Sequence, residues 1–137
     1  MALQMNGAES SNGVTEAQIN LEIALKLQNL LEQSGSTVIL TRSDENEIYD
    51  AGSDTIREKK VSDMKNRVKI GNESSADIFV SIHLNKIDQS QYDGWQTFYK
   101  TNNEESKRLA TTIQDSLNEA MQKENSTTPA QLNTVYL

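Results

Sequence analysis

His83 is the only histidine among the 137 residues, and the chain has no cysteine. It lies near the end of the run Ala76-Asp77-Ile78-Phe79-Val80-Ser81-Ile82-His83-Leu84-Asn85. There Ile78, Val80 and Ile82 alternate with Phe79, Ser81 and His83, apolar on nearly both faces, which is the pattern of a central strand covered on both sides. Ligands of open α/β sheets bind at the carboxyl ends of the strands, and His83 stands at that end. An imidazole there can bind a metal or move a proton near neutrality, although a lone strand-end histidine is more often only hydrogen-bonded.

Glu16 is the second residue placed to do chemistry, with Asn20 one helical turn further along the same face. As a first-turn acid Glu16 complements the helix dipole. If its helix packs beside the His83 strand, the helix N-terminus faces the same sheet edge, and Glu16 becomes a candidate metal ligand. Asn20 falls within the apolar arc of that helix; a buried amide needs partners, which suits it to orienting a neighbour. A catalytic zinc takes three protein ligands and an open position for water. Glu16 and His83 make two. With no second histidine and no thiolate, a third must be another carboxylate or is missing, and Asp77 and Asp88 have no supporting pattern.

Several elements must position these residues. Thr15 and Glu16 open a helix that runs to about Ser34, with Thr15 as cap and Gly35 as stop. Ile19, Ile23, Ala24, Leu27, Leu30 and Leu31 form its apolar face. Thr37–Thr41 reads as a strand. Ser43–Lys60 is a charged surface excursion, partly helical near its end, and Val61–Glu73 is a second helix with Met64, Val68 and Ile70 inward. The His83 strand follows, then a polar loop from Lys86 to Asp93. Gly94–Tyr99 is a third strand, in which Trp95, Phe98 and Tyr99 read as sheet packing rather than a sugar platform. Glu104–Lys123 is a third helix packing through Leu109, Ile113, Leu117 and Met121 or Ala120. Val135–Leu137 begins another strand. Arg67 and Asn72 read as braces of the second helix. The expected fold is one α/β domain over residues 1–137, a three-layer arrangement with a mostly parallel twisted sheet flanked by helices. The strand that should lead into the first helix is not visible, so the first and last strands are expected to be missing.

Composition narrows the function classes. Twenty acidic against thirteen basic residues leave a net charge of −7, which argues against a nucleic-acid surface or an anionic membrane face. No run approaches the roughly 18 apolar residues of a membrane span, and Met1–Asn6 lacks the pattern of a signal peptide. Disulfides, a thiolate zinc site and a cysteine nucleophile are excluded. There is no Gly-rich phosphate loop, and one histidine gives no clear Ser-His-Asp set.

Taken in order, Thr15-Glu16-Ala17-Gln18-Ile19-Asn20-Leu21, Val38-Ile39-Leu40-Thr41-Arg42, Arg67 with Asn72, the run from Ala76 to Asn85, and Gly94-Trp95-Gln96-Thr97-Phe98-Tyr99 resemble the zinc-dependent N-acetylmuramoyl-L-alanine amidases of the Amidase_3 family. The resemblance covers Gly7 to Leu137, and the long insertion and the Gly94–Tyr99 strand are most similar to the sporulation and germination branch. It implies hydrolysis of the amide between N-acetylmuramic acid and L-alanine in peptidoglycan, a zinc cofactor, and Glu16 and His83 as two of the metal ligands. It also implies action outside the cytoplasm, at the cell wall or spore cortex, and leaves room for a protein partner. Two departures stand out. The family's opening Asp-Pro-Gly-His-Gly-Gly turn, whose histidine is a ligand, would place that histidine at Met1, and the family's catalytic glutamate is expected on a strand after Leu137. The expectation is an amidase core trimmed at both ends, without one ligand and the general base, and impaired in activity. Two rivals are a non-catalytic amidase-like module that binds a cell-wall peptide or a partner protein, and an acidic flavodoxin-like or receiver-like domain. The absence of a phosphate loop or an Asp cluster after a first strand argues against the latter.

Overall fold

The elements follow in the order α1 (Glu16–Gln33), α2 (Ile56–Glu73), β1 (Phe98–Lys100), α3 (Glu104–Met121) and β2 (Ala130–Leu132). The computed structural model describes residues 14–84, 94–121 and 129–132. The chain divides into two compact units, Met1–Lys86 and Ile87–Leu137.

In the first unit, α1 is set at both ends by local chemistry. Thr15 Oγ1 accepts the Gln18 N–H (3.2 Å) while Gln18 Oε1 accepts the Thr15 N–H (3.1 Å), a reciprocal capping box. At the other end Gly35, at φ +87°, donates to Glu32 O, and Ser36 donates to Leu31 O, a Schellman closure that glycine's tolerance of positive φ permits. A second capping box, Thr55 with Glu58, starts α2. The expected second helix thus begins five residues earlier than Val61. The Thr-Ile-Arg-Glu signature lies inside the charged stretch that reads as a surface excursion, and capping outweighs the weak apolar periodicity there.

The excursion is tied to α2 by polar side chains. Asp63 accepts the Ile48 N–H (2.8 Å) and takes Arg67 through Nε (2.6 Å) and Nη2 (3.0 Å). Asn66 donates to Ile48 O and to Asp50, and Ser62 both donates to the Asp50 carboxylate and accepts its N–H. Lys59 Nζ sits 4.9 Å from the centre of the Tyr49 ring. Arg67 therefore braces α2, as expected, and also reaches Thr41 Oγ1 at 3.2 Å.

In the second unit β1 and β2 pair in parallel, with Phe98 opposite Ala130 and Lys100 opposite Leu132. Asn103 caps α3 by accepting the Ser106 N–H. The face of α3 turned to the chain before β1 is polar. Thr97 N–H and Gln96's neighbour Trp95 O are bridged by one side chain, since Gln114 Oε1 accepts from Thr97 N (2.8 Å) and Gln114 Nε2 donates to Trp95 O (3.1 Å). Trp95 Nε1 donates to Asn118 Oδ1. Ala110 and Gln114 are the buried residues of α3, whereas Leu117 and Met121, expected inward, are exposed.

Three helices and two short parallel strands make the described fold α/β with little strand. A strand exists by pairing, and among the described residues only β1 and β2 pair. Thr37–Thr41 and Ala76–Leu84, which read as strands, carry no ladder bonds there. The apolar face of α1 is correspondingly open, with Ile23, Leu27, Leu30 and Leu31 exposed, and Met64 of α2 is exposed as well. Val135–Leu137 lies outside the described residues.

Candidate functional site

The capping box of α1 leaves Glu16 as the first helical residue, its position fixed by the two bonds between Thr15 and Gln18. The Arg42 guanidinium reinforces that turn by donating to Ala17 O (2.7 Å), and Gln18 Nε2 reaches Glu45 Oε2 (3.2 Å). Burial, and then the neighbouring positive charge of Arg67, hold the Arg42 pKa below its ordinary value. The carboxyl of Glu47 moves the other way, pushed up by burial first and by Asp63 second.

Across the unit, the segment from Ile78 to Leu84 brings His83 to the Glu16 carboxylate. His83 Nδ1 lies 3.5 Å from Glu16 Oε1. That is too long for a good hydrogen bond, and close to the roughly 3.3 Å that separates two ligands of one tetrahedral zinc with bonds of about 2.0–2.1 Å. Glu16 Oε1 accepts the Leu84 N–H (3.0 Å) and Asn20 Nδ2 (3.2 Å). The other histidine nitrogen, Nε2, is 2.8 Å from Ser81 Oγ. The Glu16 side chain is 18% exposed and that of His83 65%, so one donor is set into the fold and the other faces solvent.

A carboxylate oxygen and an imidazole nitrogen that approach without bonding each other form a donor pair suited to zinc. The residues present therefore fit the metal in part. Among the described residues no group of three His, Cys, Asp or Glu side chains comes together, so Asp77 does not complete the set, and Asp88 lies outside the described residues. The candidates Glu16, Asn20 and His83 are brought together; Arg67 is held at Asp63 and Thr41 instead. Two contributors went unread in the sequence. Ser81 was accessible to reasoning, since residues i and i+2 of an alternating segment share a face. The Leu84 N–H was not, because a backbone donor has no residue-type signal.

The chain is similar to several known proteins. The chain is 32% identical over 133 residues to the germination-specific N-acetylmuramoyl-L-alanine amidase of Bacillus subtilis, covering 96% of this chain and 55% of that protein. It is 35% identical over 108 residues to the N-acetylmuramoyl-L-alanine amidase LytC of the same organism, covering 77% of this chain and 19% of LytC. The chain thus spans about half, or less, of the curated relatives it matches. A solved structure of the CwlD amidase from Clostridioides difficile, in complex with the GerS lipoprotein, superposes with a TM-score of 0.88 at 41% identity, over 96% of this chain and 68% of that one. The Amidase_3 pattern, described as N-acetylmuramoyl-L-alanine amidase, matches residues 4–136, and the chain belongs to that family.

Proposed function

We propose that this chain is the metal-binding part of a zinc-dependent peptidoglycan hydrolase that cleaves the amide between N-acetylmuramic acid and L-alanine, acting outside the cytoplasm at the cell wall or spore cortex during germination or sporulation. The observation that carries the reading is the approach of His83 to Glu16 in a chain of this family. Glu16 and His83 would hold the metal, which when bound polarises a scissile carbonyl and lowers the pKa of a water. The residues of this chain prepare that site. Ser81 Oγ, 2.8 Å from His83 Nε2, would accept its proton in the tautomer that turns the Nδ1 lone pair to Glu16. Glu16 supplies negative charge at the first turn of α1, held by the Leu84 N–H. One domain over residues 1–137, with Thr37–Thr41 and Ala76–Leu84 as strands of a mostly parallel three-layer sheet, accords with the family match across both units and with the β-branched composition of those segments.

The test is the appearance of new L-alanine amino termini in purified peptidoglycan incubated with the chain and zinc. Slow, zinc-dependent release that is lost in His83→Ala is expected, slow because two metal contacts and no further carboxylate come together among the described residues. Release of reducing ends instead, or equal release by His83→Ala, overturns the reading. A second reading, a module that binds a protein partner or a cell-wall peptide without catalysis, draws support from the C. difficile amidase having been solved with a lipoprotein. Binding of peptidoglycan without release would favour it. No helix among the described residues is long and apolar enough to cross a membrane.

A further inference from the structure

Asn20 Oδ1 is the one buried side-chain polar atom without a hydrogen-bond partner among the described residues. It belongs to a residue on the apolar arc of α1, one turn from Glu16, where a leucine would match its neighbours Ile19, Leu21 and Ile23. A buried polar group with half its capacity unmet disfavours the fold, and such an exception in a native structure calls for a reason. The other end of the same amide supplies one. Asn20 Nδ2 donates to Glu16 Oε1 at 3.2 Å. The same oxygen accepts the Leu84 N–H at 3.0 Å. Oε1 then carries two hydrogen bonds, while Oε2 has none among the described residues. The amide cannot reverse, because its oxygen would then face the carboxylate. Asn20 therefore fixes the rotation of the Glu16 carboxylate, whose Oε1 lies 3.5 Å from His83 Nδ1 and whose Oε2 stays free of hydrogen bonds among the described residues.

We propose that Asn20 is a positioning residue for the metal site, retained against fold stability because it orients the Glu16 carboxylate for a divalent cation. The inference rests on Glu16 and His83 holding zinc. Outer partners of metal ligands of this kind change affinity by about tenfold to a hundredfold when removed.

The experiment measures zinc affinity by competition with a chromophoric chelator, and the thermal midpoint of the metal-free protein, for the 137-residue chain and its Asn20→Leu, Asn20→Ala, Glu16→Gln and His83→Ala variants. The two Asn20 substitutions differ in volume, so that overpacking by leucine does not obscure the result. The expected outcome is zinc binding that is lost in Glu16→Gln and His83→Ala and at least tenfold weaker in both Asn20 variants, whose metal-free midpoints are unchanged or raised. Wild-type affinity in the Asn20 variants, with binding still lost in Glu16→Gln and His83→Ala, overturns the inference and leaves the zinc assignment standing. Weaker binding together with a lowered midpoint in both variants also overturns it, since Asn20 would then only support the helix. Absence of zinc binding by the unaltered chain overturns the zinc assignment, and the inference with it.

Discussion

Asp63 shows how much one side chain can carry in a thin structure. It accepts from the Ile48 N–H and twice from Arg67, joining the excursion to α2. Asp63→Ala leaves a backbone donor and a half-buried guanidinium without their acceptor, so a loss of about 1–3 kcal/mol is expected in urea unfolding, with Asp63→Asn between it and wild type. Other acids on the same stretch set the pH dependence. Hydrogen bonds from Asn46 to Asp44, from Asn66 and Ser62 to Asp50, and from Thr55 to Glu58 hold these carboxyls below their ordinary values. A lowered folded pKa gives stability that is full above the unfolded values, 3.8 for Asp50 and 4.5 for Glu58, and is lost as pH falls through the folded ones. Glu47 has the opposite sign: its raised pKa favours the fold below 4.5, an advantage lost as pH rises through the folded value. Urea midpoints should therefore fall on acidification below about pH 4.5, less steeply in Asp50→Asn. Glu47→Gln should raise the midpoint at pH 7 and change it little at pH 4. At this scale the sequence was readable where residue type is scarce and chemistry specific. A lone histidine and a first-turn glutamate stood out, whereas nothing in the residue types marked Asp63 among twenty acids.

Helices were legible where caps and stops are written in side chains. Thr15 and Gly35 bound α1 as their types dictate, and the start of α2 could have been found from Thr55 and Glu58. Which face each helix buries was less legible, because apolar spacing predicts a core only if something arrives to cover it. In α3 the buried stripe runs through Ala110 and Gln114, since Trp95 and Thr97 present main-chain groups that need an amide more than a leucine. The contact of α2 with the His83 segment can be tested at Gly71. A Cβ there would lie 2.8 Å from Phe79 Cδ2 and 2.9 Å from Cε2, so the ring seats directly on the glycine. Gly71→Ala is favoured by about 1 kcal/mol of helix propensity but displaces the ring. It should lower Tm in the wild-type background and raise it in a Phe79→Ala background, a reversal visible by differential scanning calorimetry.

Across the molecule, apolar surface is plentiful and burial scarce. Ala110 is the only buried hydrophobic residue among those described, while Ile39, Ile78, Phe79, Val80 and Leu25, Leu27, Leu30 and Leu31 of α1 are exposed. Open apolar faces and strand-like segments without ladder partners favour association. Sedimentation velocity should show the average mass rising with concentration between micromolar and hundreds of micromolar protein, and a hydrophobic dye should fluoresce with the folded chain. The sheet was the part of the fold that sequence described beyond what is paired, because alternation marks a segment fit to be a strand and says nothing of its neighbour. Order of events adds a consequence. The bond from Leu84 N–H to Glu16 joins residues 68 apart, so the metal-holding pair forms only after α1, the excursion and α2 have been gathered in. We expect a contact that closes so long a loop to form after the folding barrier, where added stability slows unfolding rather than speeding folding. Zinc captured by Glu16 and His83 should therefore leave the refolding rate nearly unchanged and slow unfolding, so that in stopped-flow experiments the metal acts as a latch rather than a nucleus.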